Sequence, residues 1–153
     1  MKILMVCLGN ICRSPLAQGV LASKLDSNTH FVDSAGTAAY HVGEAPDRRS
    51  IKVAANHDID ISQQRARQFK STDFEAFDRI YAMDHSNLEN LKRMANSKED
   101  LNKLFLFMES SPNNKLDEVP DPYYGDFSDF ELVFNLVNET CNTIAHSISS
   151  QKT

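Results

Sequence analysis

Basic charge is in short supply. The chain has 153 residues, with 16 Lys and Arg against 21 Asp and Glu and a net charge of −5. That balance leaves no broad cationic surface for a phosphate backbone and excludes nucleic acid as a first partner. Long apolar runs are also missing. The longest early one, Ile3 to Leu8, ends at Gly9-Asn10, which is too short for a membrane span or the apolar part of a secretion signal. No membrane insertion is expected, and the cytoplasm is the expected location. Cysteines number only three, Cys7, Cys12 and Cys141. An odd set with two members in one short segment is not the disulfide framework of a secreted domain, and a reactive thiol becomes worth seeking.

What is there looks globular: 41% hydrophobic and 24% charged residues exclude disorder and fibres. The length suits one compact core, so residues 1–153 are expected to form a single domain. The charge is uneven. Residues 1–72 carry nine basic and six acidic side chains, and residues 73–153 carry seven and fifteen. The second half should disfavour heavily acidic substrate flanks at low salt.

Strand and helix signals alternate. Lys2 to Cys7 is an apolar run without period-two alternation, the pattern of a strand buried on both faces. Ser14-Pro15 then offers an N-cap and a helical proline ahead of Ala17, Val20, Leu21 and Leu25. His30 to Asp33 is a second short strand, and Asp47 can cap a helix through Ile51, Ala54 and Ala55. Arg79 to Met83 is a third strand, followed by a capping box at Ser86 and Glu89 before Leu88, Leu91 and Met94. Lys103 to Met108 is the fourth. A long polar connection, Ser110 to Asp126, precedes a helix boxed by Ser128 and Glu131, with Phe130, Val133, Phe134, Val137, Cys141, Ile144, Ala145 and Ile148 on one face. The expected fold is α/β: an open four-stranded parallel sheet with helices on both faces, flavodoxin-like, with ligands bound beyond the carboxyl ends of the strands. The first strand ends at Cys7.

Beyond Cys7 the chain reads Leu8, Gly9, Asn10, Ile11, Cys12, Arg13, Ser14. This is a thiol at a strand end, then a loop whose N–H groups can curl around one centre, then a helix start. Gly9 and Asn10 tolerate unusual backbone angles, and a helix N-terminus offers orphan N–H donors and a positive dipole end. Arg13 adds a planar fork matched to two phosphate oxygens. The whole is a phosphate-binding loop. The same donors favour the ionised thiol, which makes Cys7 the expected nucleophile at neutral pH. The Ser14 hydroxyl can bond that sulfur and assist its departure, besides capping the helix.

Ester cleavage also needs an acid that reaches the cradle. Asp121, in Pro120-Asp121-Pro122-Tyr123-Tyr124-Gly125, sits on the connection after the fourth strand, which ends on the same sheet edge as the first. Its flanking prolines restrict the backbone. Tyr123 and Tyr124 offer an aromatic wall suited to a flat leaving group.

These residues resemble the low-molecular-weight protein tyrosine phosphatases, whose signature is Cys-x5-Arg-Ser near the N-terminus with a distant Asp-Pro. Asp33-Ser34-Ala35-Gly36, Ala66-Arg67-Gln68, Met83-Asp84-x-Ser86-Asn87 and Asp121-Pro-Tyr-Tyr-Gly extend the resemblance over nearly the full chain. It implies that Cys7 forms a phosphocysteine intermediate, that Arg13 binds the phosphate, and that Asp121 protonates the phenolate and then activates water. It also implies a buried network of Asn10, Ser14, Ser34 and His57 behind the loop. Cys12 resembles the family's second cysteine, a reversible disulfide partner for the nucleophile. Tyr40, with Ile11 and Leu8, corresponds to the rim of the phenyl site. The implied partners are phosphotyrosine proteins, with inorganic phosphate as product and the enzyme a monomer or weak dimer.

Plainer readings compete at several positions. Cys12 suits a packed thiol as well as a redox role, and Cys141 on a core stripe is structural. His30, His41, His85 and His146 have no metal-ligand spacing, so neither metal nor cofactor is expected. Tyr123 and Tyr124 are read as pocket wall, although the resemblance also admits them as phosphorylation sites. An arsenate reductase would need further relay cysteines on a mobile segment. A protein-arginine phosphatase would favour a polar Thr where Ile11 stands. A phosphate-binding module without turnover would have no use for Asp121.

Overall fold

A computed structural model describes residues 1–113 and 116–150. Four strands, β1 (Lys2–Cys7), β2 (Phe31–Gly36), β3 (Arg79–Ala82) and β4 (Leu104–Leu106), form one sheet in the order β2-β1-β3-β4, and all three pairings are parallel. Pairing runs from Lys2 opposite Phe31 to Cys7 opposite Gly36, and Ile3 faces Arg79 on the other side. After β1 the chain turns to one side for β2 and then to the other for β3, so the crevice at the reversal opens just beyond Cys7.

Six α-helices complete the described residues: α1 (Arg13–Lys24), α2 (Arg48–Ala55), α3 (Asp73–Ala76), α4 (His85–Met94), α5 (Lys98–Asn102) and α6 (Phe127–Ser150). Alternate residues of β1 feed opposite faces. Ile3, Met5 and Cys7 join Leu16, Val20, Phe130, Phe134 and Val137 in the larger core, under α1, α2 and α6. Leu4 and Val6 join Phe74, Ile80 and Leu91 in a smaller one, under α3 and α4. Both faces of β1 are therefore dry, and that is why its sequence shows no alternation.

Several boundaries differ from the sequence reading. β2 runs on to Gly36, because Ser34 and Ala35 pair with Met5 and Val6. β4 keeps only three residues, and Phe107–Ser110 winds into a 3-10 turn that buries Phe107 and Met108. Helix α1 starts at Arg13 with Cys12 at its cap and no side-chain cap bond, since the Ser14 hydroxyl turns to the loop. Asp84, not Ser86, caps α4 by accepting from Asn87 N. At α6 the box lies two residues early: Asp126 Oδ1 accepts from Ser128 N, and Asp129 Oδ2 accepts from Asp126 N. At α4 and α6 a carboxylate two residues upstream displaces the expected hydroxyl, as a stronger acceptor for helix N–H groups. Asp47 caps α2 as expected, accepting from Arg49 N at 2.8 Å. Helices α3 and α5, of four and five residues, are too short to show a periodic signal.

Candidate active site

The loop from Cys7 to Ser14 curls around the sulfur. Cys7 Sγ lies 3.0 Å from Ser14 Oγ and accepts from Asn10 N at 3.3 Å. Asn10 is left-handed at φ 58°, a region Asn enters more readily than most residues. Its side chain spans the back of the loop, with Nδ2 donating to Ser14 Oγ (2.8 Å) and Ser34 Oγ (2.9 Å) and Oδ1 accepting from Arg67 N (3.1 Å). Ser34 Oγ then donates to Gln18 Oε1 at 2.6 Å. These side chains are buried or half-buried, and each bond replaces one that water would otherwise make.

Three of the four residues expected behind the loop are thus assembled, and the fourth is not. His57 is exposed after the end of α2, where its ring stacks on Phe134 at 4.0 Å. Gln18 and the Arg67 main chain occupy the network instead. Gly36 explains how β2 approaches so closely: a Cβ there would stand 2.7 Å from the Leu8 carbonyl oxygen and 3.2 Å from the Gly9 carbonyl carbon, so only glycine fits.

Arg13 is buried and enters the crevice from the first turn of α1. Nη1 donates to Asp84 Oδ2 (2.7 Å) and to the Val119 carbonyl (3.1 Å), and Nη2 lies 3.8 Å from Asp121 Oδ2. Burial alone would lower its proton affinity. Cys7, Asp84 and Asp121 outweigh that cost and raise it, so the guanidinium keeps its charge. Asp84 was read only as part of the resemblance. Lying just past the end of β3, it had a signal to offer, an acid at a strand's carboxyl end beside the switch point.

Asp121 stands across the pocket with its side chain 48% exposed, against 4% for Arg13. Its Oδ1 accepts from Tyr123 N at 3.1 Å, which leaves Oδ2 turned toward Arg13. The pocket measures about 230 Å³ and is lined by Cys7, Leu8, Gly9, Ile11, Cys12, Arg13, Tyr40, His41, Asp121, Tyr123 and Tyr124. Tyr40 and Tyr124 are 76% and 96% exposed, as a rim demands. His41 was not singled out from sequence. Its Nδ1 sits 2.6 Å from Glu44 Oε2, and only its place next to Tyr40 could have marked it.

The remaining thiols are quiet. Burial, helped by the Asp47 charge, pushes the Cys12 thiol well above the ordinary cysteine range, and burial does the same to Cys141. Neither ionises near neutral pH. All three cysteines are unpaired.

A thiol, a buried guanidinium and a carboxylate thus face one pocket at the switch point of a doubly wound sheet, an arrangement with the chemistry to bind and attack a phosphate ester. Comparisons with known proteins agree. Residues 2–153 match the family model for low molecular weight phosphotyrosine protein phosphatase. An enzyme of that name from Dictyostelium discoideum is 37% identical, over 97% of this chain and 94% of its own. A crystal structure of a protein tyrosine phosphatase from Entamoeba histolytica, with Hepes in its active site, superposes at a TM-score of 0.94. It is 34% identical and covers 100% of this chain and 99% of that one. Wzb of Vibrio vulnificus, in complex with benzylphosphonate, superposes at 0.86 with 31% identity over 95% and 97% of the two chains. The chain belongs to the low molecular weight phosphotyrosine protein phosphatase family. It is a hydrolase of that class, and among the described residues no helix is long and apolar enough to cross a membrane.

Proposed function

We propose that this enzyme hydrolyses phosphotyrosine in proteins by two in-line displacements at Cys7. In the first, the Cys7 thiolate attacks phosphorus, the S–P bond forms as the P–O bond to the phenol breaks, and Asp121 gives its proton to the departing oxygen. In the second, water attacks the phosphocysteine, Asp121 takes the proton, and the S–P bond breaks to release inorganic phosphate and the thiolate. Arg13 and the loop N–H groups bind the phosphoryl oxygens and stabilise their charge in both transition states. The Ser14 hydroxyl, 3.0 Å from Sγ, supports the sulfur as leaving group.

One observation carries the reading: Cys7 and Arg13, from one loop, and Asp121, from a segment far along the chain, line a single pocket. Its walls favour an aromatic leaving group, with Ile11, Tyr40, Tyr123 and Tyr124 available to flank a phenyl ring. The benzylphosphonate bound by Wzb has the same aryl-plus-phosphoryl form. Ile11 in the wall counts against a phosphoguanidinium substrate, which would need a polar neighbour there. We place the enzyme in the cytoplasm, where unpaired thiols persist, acting as a monomer or weak dimer.

Trapping tests the chemistry. Rapid quenching of Asp121→Asn with an aryl phosphate should leave one phosphoryl group on the peptide containing Cys7, and none in Cys7→Ser. Turnover without any trapped phosphocysteine would reject the double displacement. The first step needs Asp121 protonated and Cys7 ionised, so kcat/KM should follow a bell with an acidic optimum. A rate that climbs steadily into alkaline pH would contradict these roles.

A further inference from the structure

Arg49 is the second residue of α2, yet its side chain serves a distant loop. Nε and Nη2 donate to the two oxygens of Asp47, each at 3.0 Å. Nη2 also reaches the Tyr123 carbonyl (3.0 Å), and Nη1 the Gly125 carbonyl (3.1 Å). The guanidinium carbon lies 4.3 Å over the Phe130 ring of α6, a contact that fixes the plane of the fork. Asp47 is tied in turn to the phosphate-binding loop, because its own N–H donates to the Ile11 carbonyl at 2.7 Å. Ser50 Oγ adds a second tie to the same loop at the Cys12 carbonyl, 3.3 Å away. A continuous strut therefore runs from Ile11 through Asp47 and Arg49 to the main chain at 123 and 125, two and four residues beyond Asp121.

Beyond the packing of buried Pro122, little else holds that stretch. Among the described residues, the other hydrogen bonds of residues 121–126 stay within the loop or the first turn of α6. Asp121 touches Arg13 only through the 3.8 Å ion pair. Arg49 does not line the pocket that contains the thiol.

We propose that Arg49 is a positioning residue for the reaction, holding the loop that carries Asp121 at a fixed distance from the phosphate cradle. This rests on the reading of Asp121 as general acid. Proton delivery depends steeply on placement, and a displacement near 1 Å costs on the order of 100-fold. With the strut gone, the loop spreads over many positions and negative charge builds on the departing oxygen. Poor leaving groups then suffer most. Lysine is no substitute, since a single ammonium cannot span two carboxylate oxygens and two carbonyls in one plane.

The test compares Arg49→Met, which keeps an unbranched side chain over Phe130, with Arg49→Lys, Asp121→Asn and the double variant Arg49→Met/Asp121→Asn. The readouts are kcat/KM for 4-nitrophenyl phosphate and phenyl phosphate, inhibition by inorganic phosphate, and the rate of Cys7 alkylation. Arg49→Met should lose a few-fold on the nitrophenyl ester and about 100-fold on the phenyl ester, and Arg49→Lys should show the same trend. Phosphate inhibition and alkylation should stay within about twofold. The double variant should be no slower than Asp121→Asn, because the two groups act as one unit. Equal losses on both esters, weakened phosphate binding in proportion to lost rate, or losses that multiply in the double variant would each overturn the proposal. If Asp121→Asn itself shows no leaving-group dependence, the general-acid reading fails. If Asp121→Asn shows it and Arg49→Met does not, only the role of Arg49 falls.

Discussion

The two loops that meet over the pocket are held in opposite ways. The phosphate-binding loop, residues 7–14, is pinned from within the protein: both polar side-chain atoms of Asn10 go to Ser14, Ser34 and the Arg67 main chain, and the sulfur is met by Ser14 and Asn10 N. The loop bearing Asp121 is hung from outside. Its inner limb is anchored where buried Val119 donates to the Met83 carbonyl and accepts from Arg13, while its outer limb depends on half-exposed Arg49. In the proposed reaction the group that binds charge is fixed before substrate arrives, as electrostatic stabilisation requires, while the carboxylate proposed to move the proton sits on a part of the chain that water can reach. Damage to the Asn10 framework of the first loop should therefore affect binding, rate and folding together, and damage to the second loop should affect rate alone.

The sharpest separation comes from the nucleophile. Cys7→Ser removes the thiol around which the cradle is built and should abolish turnover, a loss on the order of 10⁴-fold or more. It should still bind inorganic phosphate, as read by calorimetry, because the N–H groups and Arg13 remain. Asp121→Ala comes next, with a loss of about 10²–10⁴-fold on phenyl phosphate and a Tm unchanged within experimental scatter. A large fall in Tm there would erase the distinction between the loops. Asn10→Ala should do what Asp121→Ala does not. It strips three hydrogen bonds, two of them buried, and leaves alanine in the left-handed region, so it should cost about 1–3 kcal/mol, seen as a Tm lower by several degrees, with weaker phosphate inhibition.

The smallest effect belongs to the acid loop's far end, where His85 Nε2 meets Asp117 Oδ2 at 2.9 Å on the surface. The hydrogen bond to Asp117 raises the proton affinity of His85, and that same bond lowers the Asp117 carboxyl. The raised histidine stabilises fully below its ordinary value and loses that contribution as pH climbs through its folded value. The lowered carboxylate stabilises above its ordinary value and loses that contribution as pH falls through its folded value. The pair therefore acts fully between 3.8 and 6.5, the ordinary values of the two groups. His85→Gln should lower Tm slightly inside that window and leave it unchanged at pH 9. High salt should erase the difference.

The same contrast explains what the sequence made legible. Cys7 through Ser14 lie side by side in the chain, so thiol, loop and guanidinium could be read as one object, and β1 announced itself by an unbroken apolar run. Asp121 could be found because a proline on either side of an acid is informative locally. Its supports could not. Arg49 lies more than seventy residues away and looks like any surface arginine on a helix. Gln18 and Arg67 reach the Asn10 network across a strand and a loop, and His57 entered the reading through the family resemblance alone, since by itself it reads as a surface or helix-end histidine. The boxes at α4 and α6 failed for a related reason: a Ser-x-x-Glu box and a nearby Asp look equally good until geometry chooses the carboxylate.

The direction of β1 and α6 also settles how this enzyme would behave on a leash. Cys7 ends β1, so Met1 lies at the opposite edge of the sheet. Helix α6 begins beside the acid loop and carries the chain about 36 Å away over its 24 residues. A scaffold fused through a flexible linker at Met1, or beyond Ser150, would thus hold the molecule by its back and leave the pocket facing outward. Targeting to a phosphorylated assembly would then act through effective concentration, with linker length as the controlling variable.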